Sequence, residues 1–240
     1  MPAKKPPETW FWSHDIKPTQ IDSVVTPGSR LARLASYGEG ATRRFAALVY
    51  QEPGAVRGYA LDLDAAALAA RLADSGARPV AITAGADGAF SVVLETGPGP
   101  LSRAHVDLDE AGVRALIDDQ HAIADLATYV AGGARRYAAI VEERAATSWL
   151  FAGVSAAELD GQLLEHGAGL TRLRAYREAG AQKLVAIAER GRPAGWAWYA
   201  DLDGDGVAKQ LEANAAYPID LDATRGDRGV RFTVVMVRER

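Results

Sequence analysis

Residues 149 to 188 read WLFAGVSAAELDGQLLEHGAGLTRLRAYREAGAQKLVAIA, and this stretch decides the fold. It opens on an aromatic strand carrying Trp149 and Phe151, and Val154 then precedes Ser155, a residue whose hydroxyl can cap a helix. Glu158 three positions later completes a capping box. Leu159 and Leu163, four apart, share one helix face, and Gly167 ends the helix where the chain must turn left-handed. A second apolar stretch from Leu170 to Tyr176, a polar turn and the run Leu184-Val185-Ala186-Ile187-Ala188 follow, with the shortness and apolarity of strands. The order is strand, helix, strand, turn, strand.

The same order recurs along the chain. Runs matching Leu184 to Ala188 occur at Phe45-Ala46-Ala47-Leu48-Val49, Phe90-Ser91-Val92-Val93-Leu94, Tyr137-Ala138-Ala139-Ile140-Val141 and Phe232-Thr233-Val234-Val235-Met236, about 45 to 48 residues apart. Upstream of each lies one helix signal, an apolar residue followed five and nine positions later by two more. The triplets are Ile16/Ile21/Val25, Leu63/Leu68/Leu72, Leu108/Val113/Ile117, Val154/Leu159/Leu163 and Leu202/Val207/Leu211. The N-cap slot holds Lys17, Asp64, Asp109, Ser155 and Asp203, with Pro18 suiting the first helical position in unit one. Gly28, Gly76 and Gly167 mark helix ends, while His121 and Ala215 depart from this. The five units run about 10–51, 57–95, 103–143, 147–190 and 195–238. Gly97-Pro98-Gly99-Pro100 alone resembles a linker, so residues 1–240 are taken as a single repeat domain. One unit cannot bury both its helix face and its strands. The expectation is therefore an α+β fold in which the terminal strands pair into one curved antiparallel sheet, half-barrel-like, with helices on the outer side.

Composition narrows the function. At 240 residues with 48% hydrophobic and 24% charged residues, the chain is long enough and apolar enough for a sizeable core. A net charge of −4 leaves no basic reserve for a phosphate backbone. Arg43-Arg44 and Arg135-Arg136 recur at one unit position and read as solvated strand-entry residues. The absence of cysteine removes disulfides, thiolate metal sites and a cysteine nucleophile. Met1 to Thr9, with Lys4 and Lys5, is too short and polar for a signal-peptide apolar region. No stretch is apolar over the roughly 20 residues of a spanning helix. A soluble chain, cytoplasmic by default and without a membrane or nucleic-acid partner, is the expectation.

Gly28-Ser29-Arg30-Leu31-Ala32-Arg33-Leu34-Ala35-Ser36-Tyr37, Arg43-Arg44-Phe45-Ala46-Ala47 and Ala168 to Tyr176 give the unit a signature. It resembles the tandem structural repeat of the polyglycine hydrolase N-domain, also seen in bacterial tandem-repeat proteins, from about Trp10 to Val237. The resemblance implies the half-barrel fold and a role in partner recognition or scaffolding. In those hydrolases the repeat precedes a β-lactamase-like serine domain. No Ser-x-x-Lys motif is present here, and Ser155 has only Gly153 of a nucleophile elbow, so no catalytic residue is assigned.

Other motifs weigh less. His14, His105, His121 and His166 form no helical metal pair. Asp201, Asp203, Asp205 and Glu212, with Gly206, match a calcium loop. Yet Asp201-Leu202-Asp203 aligns with Asp62-Leu63-Asp64 and Asp107-Leu108-Asp109, whose second Asp is a cap, and Glu212 would lie roughly 13 Å up the helix. Asp203 is expected to cap rather than to ligate. The glycine clusters Gly85 to Gly88, Gly97 to Gly99 and Gly132-Gly133 lack the context of a phosphate loop. No cofactor is implied.

The aromatics remain. Trp10, Trp12, Tyr59, His105, Trp149, Phe151, Trp196 and Trp198 sit on the first strands, and all five tryptophans are among them. Trp10/Trp12 and Trp196/Trp198 are two apart, so each pair shares a strand face. In a curved sheet they would line a concave cleft for a small hydrophobic ligand or a protein partner. A non-catalytic binding module is the first expectation. An enzyme acting on a small hydrophobic substrate in the same cleft and a purely structural interaction protein are the alternatives.

Overall fold

The computed structural model describes residue 7 and residues 9–51, 57–191 and 195–238; Lys4 and Lys5 lie outside them. The elements are β1 (Thr9–Ile16), α1 (Ile21–Val24), β2 (Ser29–Tyr37) and β3 (Arg44–Gln51), then β4 (Arg57–Leu63), α2 (Ala65–Ser75), β5 (Arg78–Ala84) and β6 (Phe90–Glu95). They continue with β7 (Ser102–Leu108), α3 (Glu110–Ala115), β8 (His121–Ala131) and β9 (Ala134–Glu143), and with β10 (Ser148–Val154), α4 (Ala156–His166), β11 (Ala168–Glu178) and β12 (Ala181–Arg190). The last four are β13 (Trp196–Leu202), α5 (Gly204–Asn214), β14 (Ala216–Gly226) and β15 (Gly229–Arg238). No helix among the described residues is long and apolar enough to cross a membrane.

The strands form five antiparallel three-stranded sheets, each built by one strand-helix-strand-strand segment in the order first, third, second. The single curved sheet expected from the terminal strands is thus corrected. Each terminal strand already has a partner on both sides, β1 and β2 flanking β3 for example, so its backbone groups are used up within its own sheet. Its apolar run reflects burial on both faces instead. In β3, Phe45, Ala47 and Val49 pack with Val80, Ala81 and Val93 of the second sheet. Ala46, on the other face, joins Phe232, Val234 and Met236 of the fifth.

This face-to-face stacking runs around the molecule. The second strands touch in the succession β2, β5, β8, β11, β14 and back to β2, closing a ring. The helices lie between sheets. Leu68 of α2 packs with Ala138 and Ile140, Val113 of α3 with Leu150 and Val185, Leu159 and Leu163 of α4 with Val235, and Val207 and Leu211 of α5 with Ala35 and Ala46.

The Asp-Leu-Asp motif does two jobs. Asp15, Asp62, Asp107 and Asp201 are left-handed (φ 59°, 56°, 56° and 59°), and Gly153 takes that place in the fourth sheet (φ 70°). A bulge there lets the next residue pair with the start of the terminal strand, as Leu202 does with Phe232. The second Asp then caps: Asp64 accepts from Ala67 N at 2.7 Å, Asp109 from Gly112 N at 2.7 Å and Asp203 from Gly206 N at 2.8 Å. Ser155 accepts from Glu158 N at 3.3 Å while Glu158 answers at Ser155 N, 2.7 Å.

Two helices are shorter than the triplets predict. Behind Lys17 and Pro18 a 3-10 turn precedes only four helical residues, Ile21 to Val24, and Val25 falls beyond them. In the third sheet α3 stops at Ala115, because Asp118 turns the chain by accepting from the backbone N–H groups of Gln120 and His121, so Ile117 is half-buried outside the helix. Arg43 is also corrected. It is buried, not solvated, and it reaches into the second sheet to pair with Asp62 and Asp87. Arg44 is the one that stays in its own sheet, with Asp15 at 3.4 Å.

Candidate functional site

The first strands are the outer edges of their sheets, so the eight aromatic-position residues do not converge on one cleft. Tyr59 packs between the first and second sheets and donates its hydroxyl to Asp22. His105 lies opposite Ala139, one register position from the site of Tyr59, and burial beside Arg103 lowers its pKa. Trp149, Phe151, Trp196 and Trp198 meet on the core between the fourth and fifth sheets. There His166 stacks on Trp149 at 4.9 Å, and Trp198 Nε1 donates to Asp160 of α4 at 3.1 Å.

Trp10 and Trp12 sit where the fifth sheet meets the first, and here the packing leaves space. A groove of about 340 Å³ has these two indoles on one wall and Ala208, Leu211, Glu212 and Ala215 of α5 and its C-cap on the other. Trp12 also stacks on His14 at 5.3 Å and meets the edge of Phe232 at 5.6 Å, which fixes its plane.

The groove has a counterpart between the fourth and fifth sheets. Trp12 faces Leu48 in the register that Trp198 has with Val235, so the two tryptophans hold equivalent positions. Five residues past each N-cap, α4 carries Asp160 and α5 carries Ala208; nine past, α4 carries Leu164 and α5 carries Glu212. The acceptor that ties Trp198 down is therefore missing under Trp12, whose indole N–H has no hydrogen-bond partner among the described residues. Of the residues matching the calcium-loop pattern, Asp203 caps α5 as expected, Asp201 pairs with Arg228 at 2.7 Å, and Glu212 lines the groove.

A second feature escaped the sequence reading altogether. Each second strand carries a register shift, and the residue just past it is Arg33, Ala81, Asp125, Arg172 or Asp220. Four of these five are charged, and with Arg174 they form a buried hub where the second strands meet. Arg174 donates from Nη2 to Asp125 at 2.7 Å, from Nη1 to Asp220 at 2.7 Å and from Nε to Leu126 O at 2.6 Å. Asp125 also accepts from Ile82 N and Asp220 from Leu173 N, both at 2.8 Å, while Arg172 Nε lies 3.1 Å from Asp125 and Arg33 Nε 3.4 Å from Asp220. The hub thus touches all five sheets.

Its electrostatics are unequal. Burial raises the pKa of Asp220, but Arg174, Arg172 and Arg33 outweigh it and hold the carboxyl below its usual range. Burial and the neighbouring Arg33 push Arg172 down to about 10, whereas the two aspartates more than compensate burial at Arg174. Asp222, one side chain further along the same face of β14, is pushed up to about 6 by burial. The detectable signal was a charged column inside an otherwise apolar stretch, visible once the units are aligned on their second strands. Neither the family models nor the curated proteins compared with this chain match it.

Proposed function

We propose that the protein is a non-catalytic binding module whose site is the groove between β1 and α5, holding a small ligand with an apolar body. The observation that carries this is a tryptophan pair bordering about 340 Å³ of open space, a volume in the range of small-molecule pockets. Glu212 is the sole titratable side chain among the described lining residues, and one carboxylate offers no acid–base pair, which favours binding over turnover. We further propose kinship of the unit to the polyglycine hydrolase N-domain repeat and the recognition role this implies, supported by the fivefold recurrence of one element order.

Tryptophan emission titrated against a small-ligand library is the test. A saturable change that disappears in Trp12→Ala but persists in Trp149→Phe supports the groove. Emission indifferent to every compound moves the assignment to a structural interaction protein.

A further inference from the structure

Resting on that reading of the groove, we propose that its ligand is a small organic cation, held by an alkylammonium group against the faces of Trp10 and Trp12 and the carboxylate of Glu212. The groove offers two indoles, small alanines and one acid, with no basic residue among its described lining residues. Indole faces attract cations through the ring quadrupole, and tryptophan is the strongest of the aromatic side chains in this respect. A carboxylate beside them adds attraction for a cation and repels an anion.

The interface between the fourth and fifth sheets lacks this combination. There the equivalent tryptophan, Trp198, is satisfied by Asp160 at 3.1 Å, and the position of Glu212 is the apolar Leu164. At the groove both residues differ: Ala208 withdraws the acceptor and opens the space, and Glu212 places a negative charge at its border. The side chain of Glu212 is exposed and makes no ion pair among the described residues, so its charge is available to a ligand.

The experiment titrates the full chain with choline and with its neutral isostere 3,3-dimethylbutan-1-ol, reading tryptophan emission at low salt. Choline should saturate the change, and the neutral compound should bind about tenfold more weakly or less. Glu212→Gln should weaken choline alone, and added salt should do the same by screening. Ala208→Leu, which fills the groove at an exposed helix position where leucine is a good helix former, should abolish both responses with the melting temperature kept. Equal binding of the two compounds, unchanged in Glu212→Gln, overturns the cation while leaving the aromatic groove in place. No response to either compound overturns both, and a response surviving Ala208→Leu shows that the cation binds elsewhere.

Discussion

Asp222 is a carboxyl that departs from the behaviour of its type. Its carboxyl lies near Arg174, Asp220 and Asp125, and burial outweighs the arginine, raising its pKa from 3.8 to about 6. A raised carboxyl keeps its proton in the folded chain after the unfolded chain has released it, so folding takes up a proton between about pH 4 and 6. Stability from this group is therefore present at the acid end and is lost as pH rises through that window. The penalty near neutrality is on the order of 1–3 kcal/mol, the lower end reflecting the partial exposure of Asp222. In Asp222→Asn, melting temperatures should match the wild type near pH 4 and exceed it at pH 7. A difference independent of pH would contradict this. Ala215 is unusual in another sense, because it closes α5 in the left-handed region at φ 44° where Gly76 and Gly167 close α2 and α4; an L-residue there carries strain that glycine does not.

At the scale of elements, helix length follows from what lies at each end. α2, α4 and α5 have side-chain caps at the start and a left-handed residue at the end, and each runs 11 residues. α3 has the same kind of cap but meets the Asp118 turn, and it runs six. The apolar pair expected in each helix is accordingly not equally buried. Leu159 is fully enclosed and Ile117 is not. Leu159→Ala should cost about 2–5 kcal/mol, since both transfer and cavity terms apply, while Ile117→Ala should cost clearly less. Urea unfolding of the two variants measures the difference, and equal losses would show that Ile117 packs as a core residue.

For the whole molecule the hub is the point of leverage, because one guanidinium spans three sheets. Arg174→Met leaves the carboxylates of Asp125 and Asp220 buried without their main partner and should cost about 3–5 kcal/mol by denaturant unfolding. Arg174→Lys should not restore it, since an ammonium cannot meet Asp125, Asp220 and Leu126 O with the same planar fork. A loss below about 1 kcal/mol in Arg174→Met would mean the ring is held by apolar packing alone. The polar ties at the other interfaces, such as Ser36 N to Thr83 Oγ1 at 3.0 Å and Tyr50 Oη to Pro218 O at 2.6 Å, secure neighbours only in pairs.

The local order strand, helix, strand, strand was determined by the sequence itself, and so were the caps at Asp64, Asp109, Ser155 and Asp203. These depend on residues within a few positions of each other, where periodicity and side-chain-to-backbone bonding act directly. The sharing of one face by Trp10 and Trp12 was legible for the same reason. The tertiary structure alone decided that the units form five separate sheets and that the last closes on the first. An apolar terminal strand buries equally well in one wide sheet or between two narrow ones, and only the pairing of both its edges within the unit selects the second. The groove was likewise invisible, since it depends on Ala208 and Glu212 meeting strand residues about 200 positions away. The hub needed the register shift in each second strand, which turns Arg33, Asp125, Arg172 and Asp220 toward a shared centre that no single unit contains.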